Sequence, residues 1–438
     1  MSRSHDRGAD SKMSKITVIG TGYVGLTTGA YLAHLGHMVV CADVLKDKVE
    51  RLSRGDVPIL EAGLDELVRE GLDSGRLRFA LGAADAVADA EFVFLCVQTP
   101  QGDDGAADLS YIRQAAAEIG PELAPECVVI NKSTVPVGST RVVEQALGRD
   151  DVFVVSNPEF LREGSAVHDC LNPDRIVIGS DDQAAAMRVA ALFESLKAPL
   201  VITDPASAET IKYASNAFLA TKVSFVNALA NVCEAVGADV REVVLGMGYD
   251  KRIGFEFLKP GPGWGGSCFP KDTLAMVHIA EEAGYDFGLL RGVITVNDEQ
   301  YLRMVAKVER AVGGSLAGCS VAVWGLTFKA RTDDLRDSPA IEVIRQMQER
   351  GAKVRAYDPA ADPASPTLAG IEVVADPYAA CEGASVLVVL TEWDEFRWLD
   401  FAKVAGVMRT PRIVDTRNLL EPAAVRRRGF VYDGLGRA

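Results

Sequence analysis

Residues 261 to 272, GPGWGGSCFPKD, set Cys268 among glycines at 261, 263, 265 and 266, with prolines on both sides and Lys271-Asp272 just behind. A structural cysteine behaves as a small apolar side chain and normally sits among aliphatic residues at strand or helix spacing. Bare backbone in a proline-stiffened loop suits a reactive or ligand-facing thiol instead, with the glycines as openings for another backbone or a ligand. The plainer alternative is a glycine-rich turn with an incidental cysteine.

Other chemistry-bearing residues recur at useful spacings. Lys212 and Asn216 in IKYASNA are four apart, hence on one face of a helix. An ammonium beside an amide can stabilise a developing oxyanion, although such pairs are also common on solvated helix faces. Glu159 and Glu163 in NPEFLREGS could supply a base, or belong to an ordinary polar surface. Asp272 by itself would disfavour a thiolate at Cys268, so Lys212 or another cation must offset it. Only five histidines are present, which leaves acid and base work to carboxylates, lysine or cysteine.

The elements that must position these groups begin with KITVIG, a β-branched strand running into GTGYVG. Gly20, Gly22 and Gly25 follow that strand, helical spacing continues to Gly36, and a second strand, HMVVCAD, ends at Asp43, 18 residues beyond Gly25. Strand, G-x-G-x-x-G, helix, strand and acid make a dinucleotide fingerprint: bare backbone admits the pyrophosphate and the helix N-terminus offers it N–H groups. Asp43 would take the ribose hydroxyls and repel a 2′-phosphate, so NAD is expected over NADP. Further strands at 91–97, 127–134 and 151–157 alternate with helical stretches, which predicts a parallel sheet with crossover helices. The strand-end loops QTP (98–100) and STVPVG (133–138) bring Thr99, Ser133 and Thr134 toward the cofactor.

From Ala206 a helical pattern runs unbroken to Gly237, about 45 Å at 1.5 Å per residue, long enough to join two domains and to offer a face to a partner subunit. More helix follows to about 312. SVAVWGLTFK (320–329) then opens a second α/β section whose first turn has Gly325 alone, which argues against a second dinucleotide but leaves room for a nucleotide-like ligand. The boundaries read as a disordered leader at 1–14, an NAD-binding domain at 15–204, a helical region at 205–312 carrying the cysteine loop, and a second Rossmann-like domain at 313–438.

At 438 residues, 48% hydrophobic and 24% charged, the chain reads as a multidomain globular protein. A net charge of −15 argues against a nucleic-acid polymer as partner. No apolar run approaches the roughly 20 residues needed to span a bilayer, and the polar start lacks the core of a signal peptide, so a cytoplasmic protein without a membrane partner is expected. Eight scattered cysteines without a C-x-x-C pair suggest reduced thiols and no metal site.

GTGYVG, STVPVG, NPEFLREGSA, IKYASNA, RIGFEFLKPGPGWGGSCFPKD and GLTFKARTDDLRDSPA, in that order, resemble the successive motifs of the UDP-glucose 6-dehydrogenase family, within the wider UDP-glucose/GDP-mannose dehydrogenases. The resemblance implies an α/β fold of two Rossmann-like doubly wound domains joined by a long central helix and helical middle region. It also implies a homodimer or larger homo-oligomer. The implied reaction is a four-electron, NAD-dependent oxidation of UDP-glucose to UDP-glucuronate, a polysaccharide precursor, through a thiohemiacetal and a thioester.

By the same resemblance Cys268 is the nucleophile, with Lys212, Asn216 and Asp272 as its polar partners. Thr134 and Glu163 fall where catalytic water and cofactor are held, and Glu159 matches an acid that assists thioester hydrolysis. Gly20, Gly22, Tyr23, Val24, Gly25, Asp43, Lys48, Thr99, Lys271 and Arg331 fall at cofactor positions. Phe160, Leu161, Arg162, Phe257, Leu258, Lys259, Gly265 and Lys329 fall at substrate positions together with the catalytic set, and Arg252 matches an arginine that reaches the neighbouring subunit's substrate. D-T-R-N at 415–418 replaces D-G-R-N, and Trp264 replaces a smaller aromatic. Other nucleotide sugars (GDP-mannose, a UDP-N-acetylhexosamine), a two-electron hydroxyacid dehydrogenase and an NAD-sensing module are the competing readings.

Overall fold

A computed structural model describes residues 13–100, 102 and 107–437. The chain divides into two compact units, one ending at Tyr213 and the other beginning at Ala214. Residues 1–12 of the expected leader lie outside the described residues, and its last residue does not fit the expectation. Ser14 is buried; its carbonyl accepts the Met38 N–H at 2.9 Å and its own N–H meets His37 Nδ1 at 3.3 Å, because it extends the edge of the first strand.

The first unit is built on β1 (Lys15–Ile19), β2 (Met38–Asp43), β3 (Leu77–Leu81), β4 (Phe92–Leu95), β5 (Val128–Asn131), β6 (Phe153–Ser156), β7 (Ile176–Gly179) and β8 (Leu200–Thr203), in the spatial order β3-β2-β1-β4-β5-β6-β7-β8. Neighbours are parallel except β6 and β7, which meet antiparallel at Ser156 and Gly179. The central strands are almost wholly apolar, FVFL in β4 and VVIN in β5, because helices cover both faces. Two buried clusters result, one on each face of the sheet. Beyond the strands expected at 91–97, 127–134 and 151–157, the sheet is extended by β7 and β8.

A helix of 32 residues, Pro205–Val236, crosses from one unit to the other and ends where Gly237 takes a φ of 73°. The second unit adds the helices Val240–Gly248, Phe269–Glu282 and Gly288–Val312, then β9 (Ser320–Trp324), β10 (Lys353–Tyr357), β11 (Glu372–Val373), β12 (Val386–Val389), β13 (Arg412–Asp415) and β14 (Val431–Gly434). These form an all-parallel sheet in the order β11-β10-β9-β12-β13-β14, with Trp324 fully buried at its centre. The α/β class and the two doubly wound sheets with a helical middle are therefore as the sequence implies. Among the described residues no helix is long and apolar enough to cross a membrane, and no cluster of ligating side chains could hold a metal.

Candidate active site

In the first unit the three fingerprint glycines do three different things. A Cβ on Gly20, which has a φ of 92°, would lie 2.7 Å from the Cys96 carbonyl oxygen, and one on Gly25 would collide with the Gly20 carbonyl. Both glycines let helix Tyr23–His34 pack against the strands. A Cβ on Gly22 would meet nothing within 4 Å, so this position at the helix N-cap is the open face that a pyrophosphate could approach. Val24, two residues on, is half-buried against the core.

Asp43 closes β2. Its Oδ2 accepts the Thr21 N–H at 3.0 Å, the Thr21 hydroxyl and Lys48 Nζ at 3.1 Å, while Oδ1 accepts the Leu45 N–H. Burial pushes this carboxyl up, but the bonds from Thr21, Leu45 and Lys48 outweigh it and hold the group below its ordinary value. Thr99 Oγ1 donates to the Thr134 carbonyl at 2.8 Å, and Ser133 Oγ donates to the Val97 carbonyl at 2.7 Å, which ties the two cofactor-side loops together. Ser133 therefore serves the backbone here.

The loop after β6 places Glu159 in a buried ion pair, Oε1 to Lys212 Nζ at 2.6 Å, with Oε2 accepting the Leu161 N–H at 2.8 Å. Lys212 Nζ also lies 5.6 Å from the centre of the Phe160 ring, on which the Arg175 guanidinium sits at 3.6 Å. Neither group is a surface charge, so the solvated-face reading of Lys212 fails. Arg162, by contrast, turns out to Asp169, with Nη2 to Oδ1 at 2.6 Å. Glu163 is half-buried next to Gly164.

In the second unit Cys268 is the N-cap of helix Phe269–Glu282, with Ser267 Oγ 3.5 Å from its sulfur. The positive end of a helix favours negative charge at that place. Asp272 lies one turn on, with no exposed side-chain surface; Asn216 Nδ2 donates to its Oδ2 at 2.6 Å and Lys271 Nζ lies 3.0 Å from Oδ1. The carboxylate that would oppose a thiolate thus carries a lysine and an amide of its own.

Of the two uses expected for the loop glycines, room for another part of the chain is the one seen at three of them. A Cβ on Gly261 would lie 3.0 Å from Arg417 Nη1, one on Gly265 would collide with the Asp337 carbonyl, and one on Gly266 would lie 2.7 Å from the Phe328 ring. Each of the three admits another part of the protein's own chain. The loop is also lashed by side chains: Asn227 accepts the Gly261 N–H at 2.8 Å, Asn297 accepts the Trp264 N–H at 2.8 Å, and Trp264 Nε1 donates to Ser224 Oγ at 2.8 Å.

Of the expected substrate positions in this unit, Phe257 holds a left-handed φ of 61°, Leu258 is buried and Lys259 exposed. Such strain in a bulky residue is found mainly at functional sites. Arg252 is exposed and chelates Asp250 at 2.6 Å; Lys329 lies over the Phe328 ring; Arg331 pairs with Asp394 at 3.1 Å.

Further charged groups escaped the sequence reading, Lys132 and Glu209 buried and Arg417 half-buried. Lys132 Nζ donates to Asn157 Oδ1 at 3.0 Å, and burial pulls its amine below the ordinary value. Glu209 accepts the N–H groups of Gly138 and Thr140 at 2.6 and 2.9 Å, fastening the loop of Thr134 to the helix that carries Lys212; burial raises its carboxyl. Its place three residues before Lys212 was the available signal. Arg417 donates from Nε to the Leu390 carbonyl at 2.8 Å, beside Gly261.

Comparison with known proteins agrees along the whole chain. Residues 14–197 match the NAD binding domain of the UDP-glucose/GDP-mannose dehydrogenase family, 206–299 its central domain and 322–422 its UDP binding domain. The UDP-glucose 6-dehydrogenase of Rhizobium meliloti is 47% identical over 434 residues, which cover 97% of this chain and 99% of that protein. A UDP-glucose dehydrogenase structure from Pyrobaculum islandicum superposes with a TM-score of 0.91 at 39% identity, covering 99% of this chain and all of that one. A UDP-D-ManNAc dehydrogenase from Pyrococcus horikoshii reaches 0.86 at 28%, over 97% and 99%. An open glycine turn with its acid, a helix-capping cysteine with a buried Asn–Asp pair, and three consecutive domain matches leave one conclusion: this chain belongs to the UDP-glucose/GDP-mannose dehydrogenase family.

Proposed function

We propose that the protein is an NAD-dependent UDP-glucose 6-dehydrogenase, oxidising the C6 alcohol of UDP-glucose to the carboxylate of UDP-glucuronate. The observation that carries it is Cys268 at a helix N-terminus in a chain 47% identical, nearly end to end, to a UDP-glucose 6-dehydrogenase. The lower identity to the acetamido-sugar enzyme, 28%, favours glucose.

The open Gly22 face and the Asp43 carboxylate fit NAD, with Gly20, Tyr23, Val24, Gly25, Lys48 and Thr99 around them and Glu163, Lys271 and Arg331 as further contacts. When bound, NAD accepts the hydride in each of two oxidations. Cys268 does what an aldehyde alone cannot: its thiolate adds to the C6 carbonyl, so that the tetrahedral carbon can give up a second hydride and become a thioester. Lys212 and Asn216 stabilise the oxygen anion at each tetrahedral stage, and Asp272 orients Asn216. Glu159, held against Lys212, and Thr134 position the water that cleaves the thioester and frees the thiol. Phe160 to Glu163, Phe257 to Lys259 and Gly265 line the sugar nucleotide, with Lys329 at its nucleotide end.

The domain division at 15–204, 205–312 and 313–438 belongs to the same reading. So does a homodimer: Phe218, Phe225 and Val232, seven residues apart, and Val236 leave an apolar stripe exposed on the long helix, and Arg252 would reach the partner's substrate. A monomer by light scattering would refute the dimer.

The test is stoichiometric. Wild type should release two NADH per UDP-glucose, and Cys268→Ser should bind both ligands but nearly stop forming acid. Faster turnover of GDP-mannose or an acetamido sugar would overturn the substrate, and rapid acid formation by Cys268→Ser would overturn the nucleophile.

A further inference from the structure

The fingerprint helix and the loop bearing Glu159 and Glu163 are joined by a residue outside every motif. Glu61 lies in PILEAGLDELV, just before helix Leu64–Asp73, and is 6% exposed. Its Oε2 accepts the Tyr23 hydroxyl and, at 2.7 Å, the Gly164 N–H; that N–H also reaches the Tyr23 oxygen at 2.9 Å. Burial, reinforced by Glu61, drives the Tyr23 phenol well above its ordinary value, so it remains a hydrogen-bond donor throughout the neutral range. Oε1 is buried with no hydrogen-bond partner among the described residues.

Packing alone does not call for such a group, because a carboxylate half satisfied in the interior is costlier than an apolar side chain of its size. What distinguishes it is where its two donors come from. Tyr23 follows Gly22, the open position of the cofactor turn, and Gly164 follows Glu163. One oxygen therefore sets the distance between the start of the pyrophosphate-binding helix and the carboxylate loop.

We infer that Glu61 is a positioning residue for the oxidation proposed above, clamping the Glu159–Glu163 loop to the cofactor turn so that bound NAD and Glu163 are aligned together. The inference rests on that reading of the site, and its test separates the two.

Glu61→Ala should raise KM for NAD about ten-fold and lower kcat, Tyr23→Phe should act in the same direction, and the double variant should be no worse than Glu61→Ala. Glu61→Gln, whose amide oxygen can still accept both donors, should return within about two-fold of wild type, which loss of bulk packing would not allow. Wild-type KM and kcat in Glu61→Ala, or additive effects in the double variant, would overturn the clamp. Should Glu61→Ala not fold, Tyr23→Phe decides, since it removes only a hydroxyl: wild-type kinetics there overturn the clamp. Should wild type make no NADH from UDP-glucose, the function fails, and the clamp is read from the NAD Kd by fluorescence titration of the same variants: about ten-fold weaker binding in Glu61→Ala supports it, an unchanged Kd overturns it.

Discussion

The first turns of the two sheets share one plan and serve different ends. β1 runs into Gly20 and β9 into Gly325, with φ of 92° and 95°; their N–H groups donate to the Ala42 and Tyr357 carbonyls, both at 2.8 Å. An acid closes each second strand. Asp43 takes the N–H and hydroxyl of Thr21, and Asp358 takes the N–H groups of Leu326 and Thr327 at 2.7 and 3.0 Å and the Thr327 hydroxyl at 3.1 Å.

They part in what else reaches the acid. Asp43 adds the Leu45 N–H and Lys48 Nζ, beside the open Gly22. Asp358 adds the N–H groups of Ala360 and Ala361, and Trp393 Nε1 at 3.1 Å, while Leu326 and Thr327 are fully buried. A strand-turn-acid frame can bind ribose hydroxyls only where the acid's acceptor oxygens are incompletely used; at Asp358 the protein's own indole N–H takes up what the backbone leaves. That crowding is a physical reason to expect no second dinucleotide at the Gly325 turn.

Four experiments would break or sharpen the contrast. Gly25→Ala should have the largest effect, because the new Cβ strikes backbone: cofactor binding should be lost and stability should fall by about 3 kcal/mol, whereas Gly22→Ala should melt like wild type and bind NAD more weakly. Equal melting temperatures for the two would contradict the division of roles. Asp358→Ala strands several buried donors and should cost roughly 3 kcal/mol in denaturant unfolding without altering NAD over NADP preference.

Asp43→Ala should change preference more than stability, weakening NAD about ten-fold and relaxing rejection of NADP; unchanged kcat/KM ratios for the two cofactors would sink the assignment. The smallest effect is in acid. The Asp43 carboxyl is depressed in the folded protein, so its stabilisation is complete above the unfolded value of about 3.9 and lost as pH falls through the lower folded value. Asp43→Asn should therefore flatten part of the cofactor-free protein's stability loss below about pH 4, seen in melting temperatures against pH.

What could be read from the sequence is what a few bonds of chain decide. The fingerprint glycines, the pairing of Lys212 and Asn216 on one helix, the end of that helix at Gly237 and the cysteine at a turn before FPKD all follow from spacing, since strand and helix repeats place residues i to i+7 without outside help. The motif resemblance carried the family and the reaction on the same local evidence. Tertiary structure decided whatever depends on backbone arriving from far along the chain. Nothing local says that Gly265 must admit the Asp337 carbonyl, that β7 and β8 extend the first sheet, or that Arg331 finds Asp394, 63 residues on. Glu61 was invisible for the same reason: its partners lie 38 and 103 residues away, and a carboxylate in a polar stretch looks like solvent until folding encloses it.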